Sequence, residues 1–181
     1  MAYIFGFWCA VGCIYQGQMF DITIHKKDKY ILKKIAEELK YEGNLYDSVN
    51  KQVSRINFNC VEVYKDIVNL GGKEFKSLDL IFPNIPSEYL SDFIRGYFDG
   101  NGNIWKIKGR RINTAFVCPN KRFLNTLWDI LKNEANVEGG SYNPLDCSLK
   151  FGKKDSLKIG EYIYKNSPEL FLKRKYDKFI L

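Results

Sequence analysis

Basic, amide and hydroxyl side chains recur at a spacing of two in several short stretches of this chain. Lys106, Lys108 and Arg110 alternate with Trp105 and Ile107, and Arg111 and Asn113 alternate with Ile112 and Phe116. Ser148 and Lys150 alternate with Leu149 and Phe151. Nearer the start, Met19, Asp21, Thr23 and His25 alternate with Phe20, Ile22 and Ile24, and Arg55 and Asn57 alternate with Ile56 and Phe58. Extended backbone turns successive side chains to opposite faces, so each stretch predicts a strand with one apolar and one polar face. Arg and Lys can grip phosphates, and Asn, Asp, Thr and Ser can meet base edges in a major groove. The residues expected to touch nucleic acid are therefore Thr23, His25, Arg55, Asn57, Lys106, Lys108, Arg110, Arg111, Asn113, Ser148 and Lys150. A solvated sheet face has the same pattern; in the first half, Met19 and Asp21 fit both readings. His25, the only histidine, follows a strand at a helix start and reads as a DNA-facing or capping residue, because no nucleophile or ligand cluster surrounds it.

The elements that must position these residues occur twice. Tyr3-Ile4-Phe5-Gly6-Phe7-Trp8-Cys9-Ala10-Val11-Gly12-Cys13-Ile14 parallels Phe93-Ile94-Arg95-Gly96-Tyr97-Phe98-Asp99-Gly100-Asn101-Gly102-Asn103-Ile104, offset by 90 positions. Both copies predict an apolar helix that ends at glycine and runs into a strand. Gly12 and Gly102 are expected to take positive φ at the helix C-terminus. An amphipathic helix follows in each half, through Ile31, Leu32, Ile35 and Leu39 and through Phe123, Leu124, Leu127 and Leu131. A hairpin-like stretch comes next, then a third helix near Val61–Leu70 and Lys154–Lys165. Each half reads helix–strand–strand–helix–strand–strand–helix. The divisions are 1–72 for the first repeat, 73–86 for a linker with Pro83 and Pro86, and 87–181 for the second repeat, with Ser87 as the expected N-cap. One unit of this size buries its faces poorly; two related by a pseudo-twofold can share a core.

Composition supports this. The chain has 181 residues, 45% hydrophobic and 15% aromatic, with a net charge of +7. That is too apolar for a disordered chain, and no uncharged apolar stretch approaches the ~20 residues of a membrane helix. The positive balance, which suggests a polyanionic partner, sits in residues 104–181, with sixteen basic and eight acidic side chains; residues 1–103 carry twelve and thirteen. Five cysteines without a CxxC pair favour a reducing compartment over a zinc site or disulfide framework. The apolar opening has no positive n-region, since the first basic residue is Lys26, so an intracellular location (cytoplasm or organelle) is expected, not secretion.

The repeated helix, with Gly6, Ala10 and Gly12 and with Gly96, Asp99, Gly100 and Gly102, resembles the LAGLIDADG motif. Phe93 to Ile104 is the stronger match, and with the repeats around it the resemblance to a compact, single-chain, two-motif LAGLIDADG homing endonuclease covers nearly the whole chain. It implies an α+β fold of two pseudo-symmetric αββαββα repeats, packed through the two motif helices, with antiparallel sheets forming a saddle over double-stranded DNA. Gly6, Ala10, Gly96 and Gly100 then form the helix contact, with Asp99 at the interface. It also implies a monomer without a membrane partner, and cleavage of long sites with magnesium held by the last acid of each motif.

At those two positions the chain has Val11 and Asn101. Valine offers no ligand atom, and asparagine offers one neutral carbonyl, so the only metal contact left is a weak one at Asn101. Losing one member of a catalytic unit costs about 10⁴ or more in rate, and a copy lacking both acids is expected to be cleavage-deficient. Deliberate inactivation and natural decay or repurposing both account for the pair. Lys76 and Lys175 lie in segments that resemble those placing a basic residue near the metals, which implies contact with the scissile phosphates. The alternative is a non-cleaving binding module on the same scaffold, either an intron RNA splicing maturase or a DNA-binding regulator.

Overall fold

The computed structural model describes residues 1–15, 19–73, 79–107, 111–165 and 168–180. Lys76, Lys108 and Arg110 lie outside them. The first half runs α1 (Ala2–Val11), β1 (Gly12–Tyr15), β2 (Met19–His25), α2 (Lys29–Glu38), β3 (Tyr46–Asp47), β4 (Val53–Asn59) and α3 (Val61–Asn69). The second runs α4 (Leu90–Asn101), β5 (Gly102–Ile107), β6 (Arg111–Val117), α5 (Lys121–Ala135), β7 (Ser141–Asn143), β8 (Ser148–Phe151) and α6 (Lys153–Ile163), followed by α7 (Lys173–Ile180). Each half forms an antiparallel four-stranded sheet, in the order β1-β2-β4-β3 and β5-β6-β8-β7. This is the α+β arrangement of paired repeats expected from the sequence.

The halves meet through α1 and α4. Seven consecutive residues of α1, Tyr3 to Cys9, are buried, because the helix is covered on all sides. A Cβ at Gly6 would fall 2.0 Å from the Phe93 carbonyl oxygen, and one at Gly96 would fall 2.0 Å from that of Tyr3. The 90-residue offset relates these two contacts, so the pseudo-twofold passes through the crossing. Farther along, a Cβ at Gly100 would lie 2.4 Å from that of Ala10. The small residues read as the helix interface are the ones on which the close approach depends.

Two local expectations are corrected. Gly12 has φ −92° and Gly102 φ −85°, both extended. Glycine is needed there for space, since a Cβ would press to 2.2 Å against the Trp8 ring in one repeat and the Phe98 ring in the other. Ser87 does not cap α4: Ser87–Tyr89 form a separate 3-10 turn, and α4 begins at Leu90 after Tyr89, without a side-chain cap.

The C-terminal segment crosses back onto the first half. Arg174 grips the Asp28 carboxylate through Nε and Nη2 at 2.7–3.0 Å, and the Tyr30 hydroxyl on α2 donates to the Phe171 carbonyl at 3.2 Å. The α7 helix, for which the sequence reading has no counterpart, thereby fastens the second repeat to the first.

Candidate nucleic-acid interface

The helix pair ends at Val11 and Asn101, at the roots of β1 and β5, with Val11 close to Gly100 of the opposing helix. Asn101 Nδ2 donates to the Val117 carbonyl at 2.9 Å, and the Tyr97 hydroxyl donates to the same oxygen at 2.8 Å. The asparagine amide thus ties the end of α4 to β6. Magnesium, which the resemblance implies, does not fit these residues. Val11 has no donor atom, Asn101 keeps a single neutral oxygen, and no group of three or more His, Cys, Asp or Glu able to hold a metal occurs among the described residues.

Behind this point lies a buried polar cluster. Asp99 is 1% exposed and accepts from the Tyr3 hydroxyl of the opposing helix at 2.9 Å and from Leu172 N–H at 2.7 Å. Asp99 thus lies where α1 and α4 meet. Burial raises its carboxyl to about 6. Lys175 departs from its expected place facing scissile phosphate. It is 4% exposed, and its Nζ donates to the carbonyls of Phe98, Asp99 and Gly102 at 2.6, 2.7 and 2.6 Å. All three ammonium protons are taken up by carbonyls around the C-terminal end of α4, so Lys175 caps the helix. Burial lowers its amine to about 7.

The strand faces follow from register. In the first sheet the apolar set Ile14, Phe20, Ile22 and Ile56 is buried against the helices. The outer face carries Tyr15, Asp21, Thr23, His25, Arg55 and Asn57, paired across β1, β2 and β4 as the sequence spacing requires. His25 is exposed and acts as a cap, its Nδ1 accepting from Lys27 N–H at 3.1 Å. Thr23, Arg55 and Asn57 are not three independent contacts. They converge on Asp21, itself 5% exposed: Arg55 Nε is ion-paired to it, the Thr23 hydroxyl donates at 3.2 Å, and Asn57 Nδ2 donates at 3.2 Å.

In the second sheet one assignment reverses. Ile104 is buried and shares its face with Thr114, and the next partners on that face are Lys106 and Ile112. Lys106, although exposed, therefore lies on the helix side of the sheet. Trp105, which pairs with Asn113, lies on the outer face with Asn103. The expectation that Lys106 joins the polar outer face is overturned, because Trp105 is an outer, half-exposed residue and not part of the core. Asn113, Ser148 and Lys150 are on the outer face as expected, and the backbone register gives position 111 the same parity. Lys150 is paired with Asp146 at 2.5 Å. Asn103, Trp105, Ser148, Lys150 and Asp146 line a shallow concavity of about 410 Å³. A larger groove, about 920 Å³, lies among the first turns of α1 and α4, remote from these faces. Sequence reasoning missed Tyr15, Asn103 and Trp105 as outer-face residues.

No family model matches the sequence, and no curated protein sequence matches it. Solved structures do. The chain superimposes on the LAGLIDADG homing endonuclease I-LtrWI bound to target DNA with a TM-score of 0.63 at 12% identity, over 99% of this chain and 87% of that one. It matches the meganuclease I-SmaMI bound to uncleaveable DNA with a TM-score of 0.65 at 12% identity, over 98% and 87%. It matches the LAGLIDADG meganuclease I-AabMI bound to uncleaved DNA with a TM-score of 0.59 at 15% identity, over 98% and 87%. Two sheets of equal strand order, joined through a glycine-packed helix pair, are the fold of this chain, and that fold is the two-repeat LAGLIDADG fold of the homing endonucleases.

Proposed function

We propose that this chain is a sequence-selective duplex-DNA-binding protein on the homing-endonuclease scaffold and that it does not carry out metal-dependent cleavage. Support for binding comes from the paired outer faces, with donors and acceptors suited to base edges on both sides of the helix ends. The similar solved structures are described as bound to DNA. The observation that carries the non-cleaving part is the hydrogen bond from Asn101 Nδ2 to the Val117 carbonyl. It gives the position of a would-be metal ligand a structural duty, and Val11 at the end of α1 has no ligand atom.

The chain works by positioning. Arg55, Lys150 and the Asn103 and Asn113 amides of the second outer face meet the duplex, the Gly6–Gly96 crossing sets the angle between the sheets, Arg174 fixes the C-terminal helix against the first repeat, and Lys175 fastens that helix to the end of α4. The binder acts in a reducing, intracellular setting, as a monomer. The test compares affinity for a randomised duplex and for folded RNA of equal length across a salt series. Preference for duplex is expected, with affinity falling steeply as salt rises, because phosphate contacts release counterions. Preference for the folded RNA would transfer the reading to a splicing maturase.

A further inference from the structure

Within the DNA-binding reading, and resting on it, the outer face of the first sheet holds one cluster whose geometry singles out a reader. Asp21 is buried beneath Arg55, Asn57, Thr23 and Tyr15. Asn57 Nδ2 donates to the Tyr15 hydroxyl at 2.9 Å and to Asp21 at 3.2 Å, so its amide donors point into the sheet. Thr23 directs its hydroxyl proton to Asp21. Neither side chain keeps the outward donor that a base contact through that group would need. Arg55 differs. Its Nε is bound by Asp21, and its Nη2 donates to the Tyr15 hydroxyl at 2.8 Å. No hydrogen bond to Nη1 occurs among the described residues, and the side chain is 42% exposed. The carboxylate and the phenol hold the inner edge of the guanidinium, leaving Nη1 and the second Nη2 proton as a free fork.

We infer that Arg55, oriented by Asp21 and Tyr15, reads a guanine in the major groove beneath the first sheet, and that Asn57 and Thr23 serve as its scaffold and not as readers. A planar fork with two parallel N–H donors matches the O6 and N7 acceptors of guanine. Immobilising the side chain beforehand removes much of the ordering cost that a free arginine meets on binding. Asp21 also cancels the arginine charge. The cluster therefore adds little to phosphate attraction, and its contribution is selectivity. Asp21 and Tyr15 are positioning residues, because they act through Arg55.

The experiment is selection of binding sites from a randomised duplex library by the full chain, repeated with R55K, R55A, D21N and N57A, each checked for folding by its circular dichroism and thermal transition. The wild type is expected to select a site with one guanine position that depends on Arg55. In R55K, which keeps the charge and loses the fork, discrimination at that position should fall by roughly 5- to 150-fold, the usual worth of one bidentate contact, with the salt dependence unchanged. D21N should relax the same position while raising affinity for random duplex, since it removes a negative charge from the face. A purely structural role for Asp21 would leave base preference in place. N57A should loosen that same position alone and should not relax a second one. Should the wild type select a site whose base preferences are all retained in R55K and R55A, the inference is wrong. Should the wild type select nothing, the DNA-binding reading fails instead.

Discussion

Replacing Asn101 by aspartate tests what this residue does at the end of α4. In the native protein the Val117 carbonyl accepts from the Tyr97 hydroxyl and from Asn101 Nδ2. N101A removes one neutral hydrogen bond and leaves the carbonyl satisfied by Tyr97, a loss of about 1 kcal/mol. N101D removes the same bond and sets an anionic oxygen beside the carbonyl oxygen, where the amide nitrogen stood at 2.9 Å. The lost bond and the unpaired carboxylate oxygen together amount to roughly 2–4 kcal/mol at pH 8. Protonation relieves the conflict, because a carboxylic acid can donate to Val117. The introduced group thus has a folded-state pKa above its unfolded value, so the folded state holds the extra proton and the deficit shrinks as pH falls. The assay is urea unfolding of wild type, N101A and N101D at pH 8 and pH 5. The expected order at pH 8 is wild type, then N101A, then N101D, with N101D recovering most of its loss at pH 5. Equal stability of N101D and wild type at pH 8 would refute the structural duty assigned to Asn101. In V11D/N101D the two carboxylates end neighbouring helices, so millimolar magnesium should raise the midpoint of the double variant and leave the wild type unmoved.

Three further outcomes follow from the geometry. G6A and G96A each drive a methyl group into a backbone oxygen of the opposing helix and should lose about 3 kcal/mol or more in chemical denaturation, whereas G152A, whose Cβ meets nothing within 4 Å, should change little. The raised carboxyl of Asp99, at about 6, means that the folded state takes up a proton which the unfolded chain does not hold above about pH 4; stability from this group therefore falls as pH rises from about 4 to about 6. D99N should remove that slope, and a wild-type-minus-D99N difference that stays constant over the interval would overturn it. Because Lys106 lies on the helix side of its sheet, K106A should alter the salt dependence of duplex binding less than K150A, and the reverse order would restore Lys106 to the binding face.

The repeat was legible because close helix packing leaves a durable mark: Gly6 and Gly96 cannot carry a side chain, and the apolar residues around them are core on both helices. Strand parity was harder to read. A spacing of two shows that Lys106 and Trp105 face opposite ways without showing which is outside, and a tryptophan reads as core. The repeat itself holds the resolving signal, since Ile14 maps onto Ile104 and Tyr15 onto Trp105 across the 90-residue offset, and Tyr15 alternates with the apolar Ile14. The buried role of Lys175 was not legible. A lysine in a basic run reads as surface, and only the convergence of three helix-end carbonyls, brought there by α7, shows that it is a cap. The Asp21 cluster was visible as residue types but not as a network, because its members come from β1, β2 and β4.

The most direct measurement is a combined binding and cleavage assay of the wild-type chain on a randomised duplex library with magnesium present. The expected result is enrichment of a defined sequence recovered intact on both strands. Failure to enrich any sequence would contradict selective DNA binding, and magnesium-dependent breaks within the enriched sequence would contradict the absence of metal-dependent cleavage at the Val11–Asn101 helix ends.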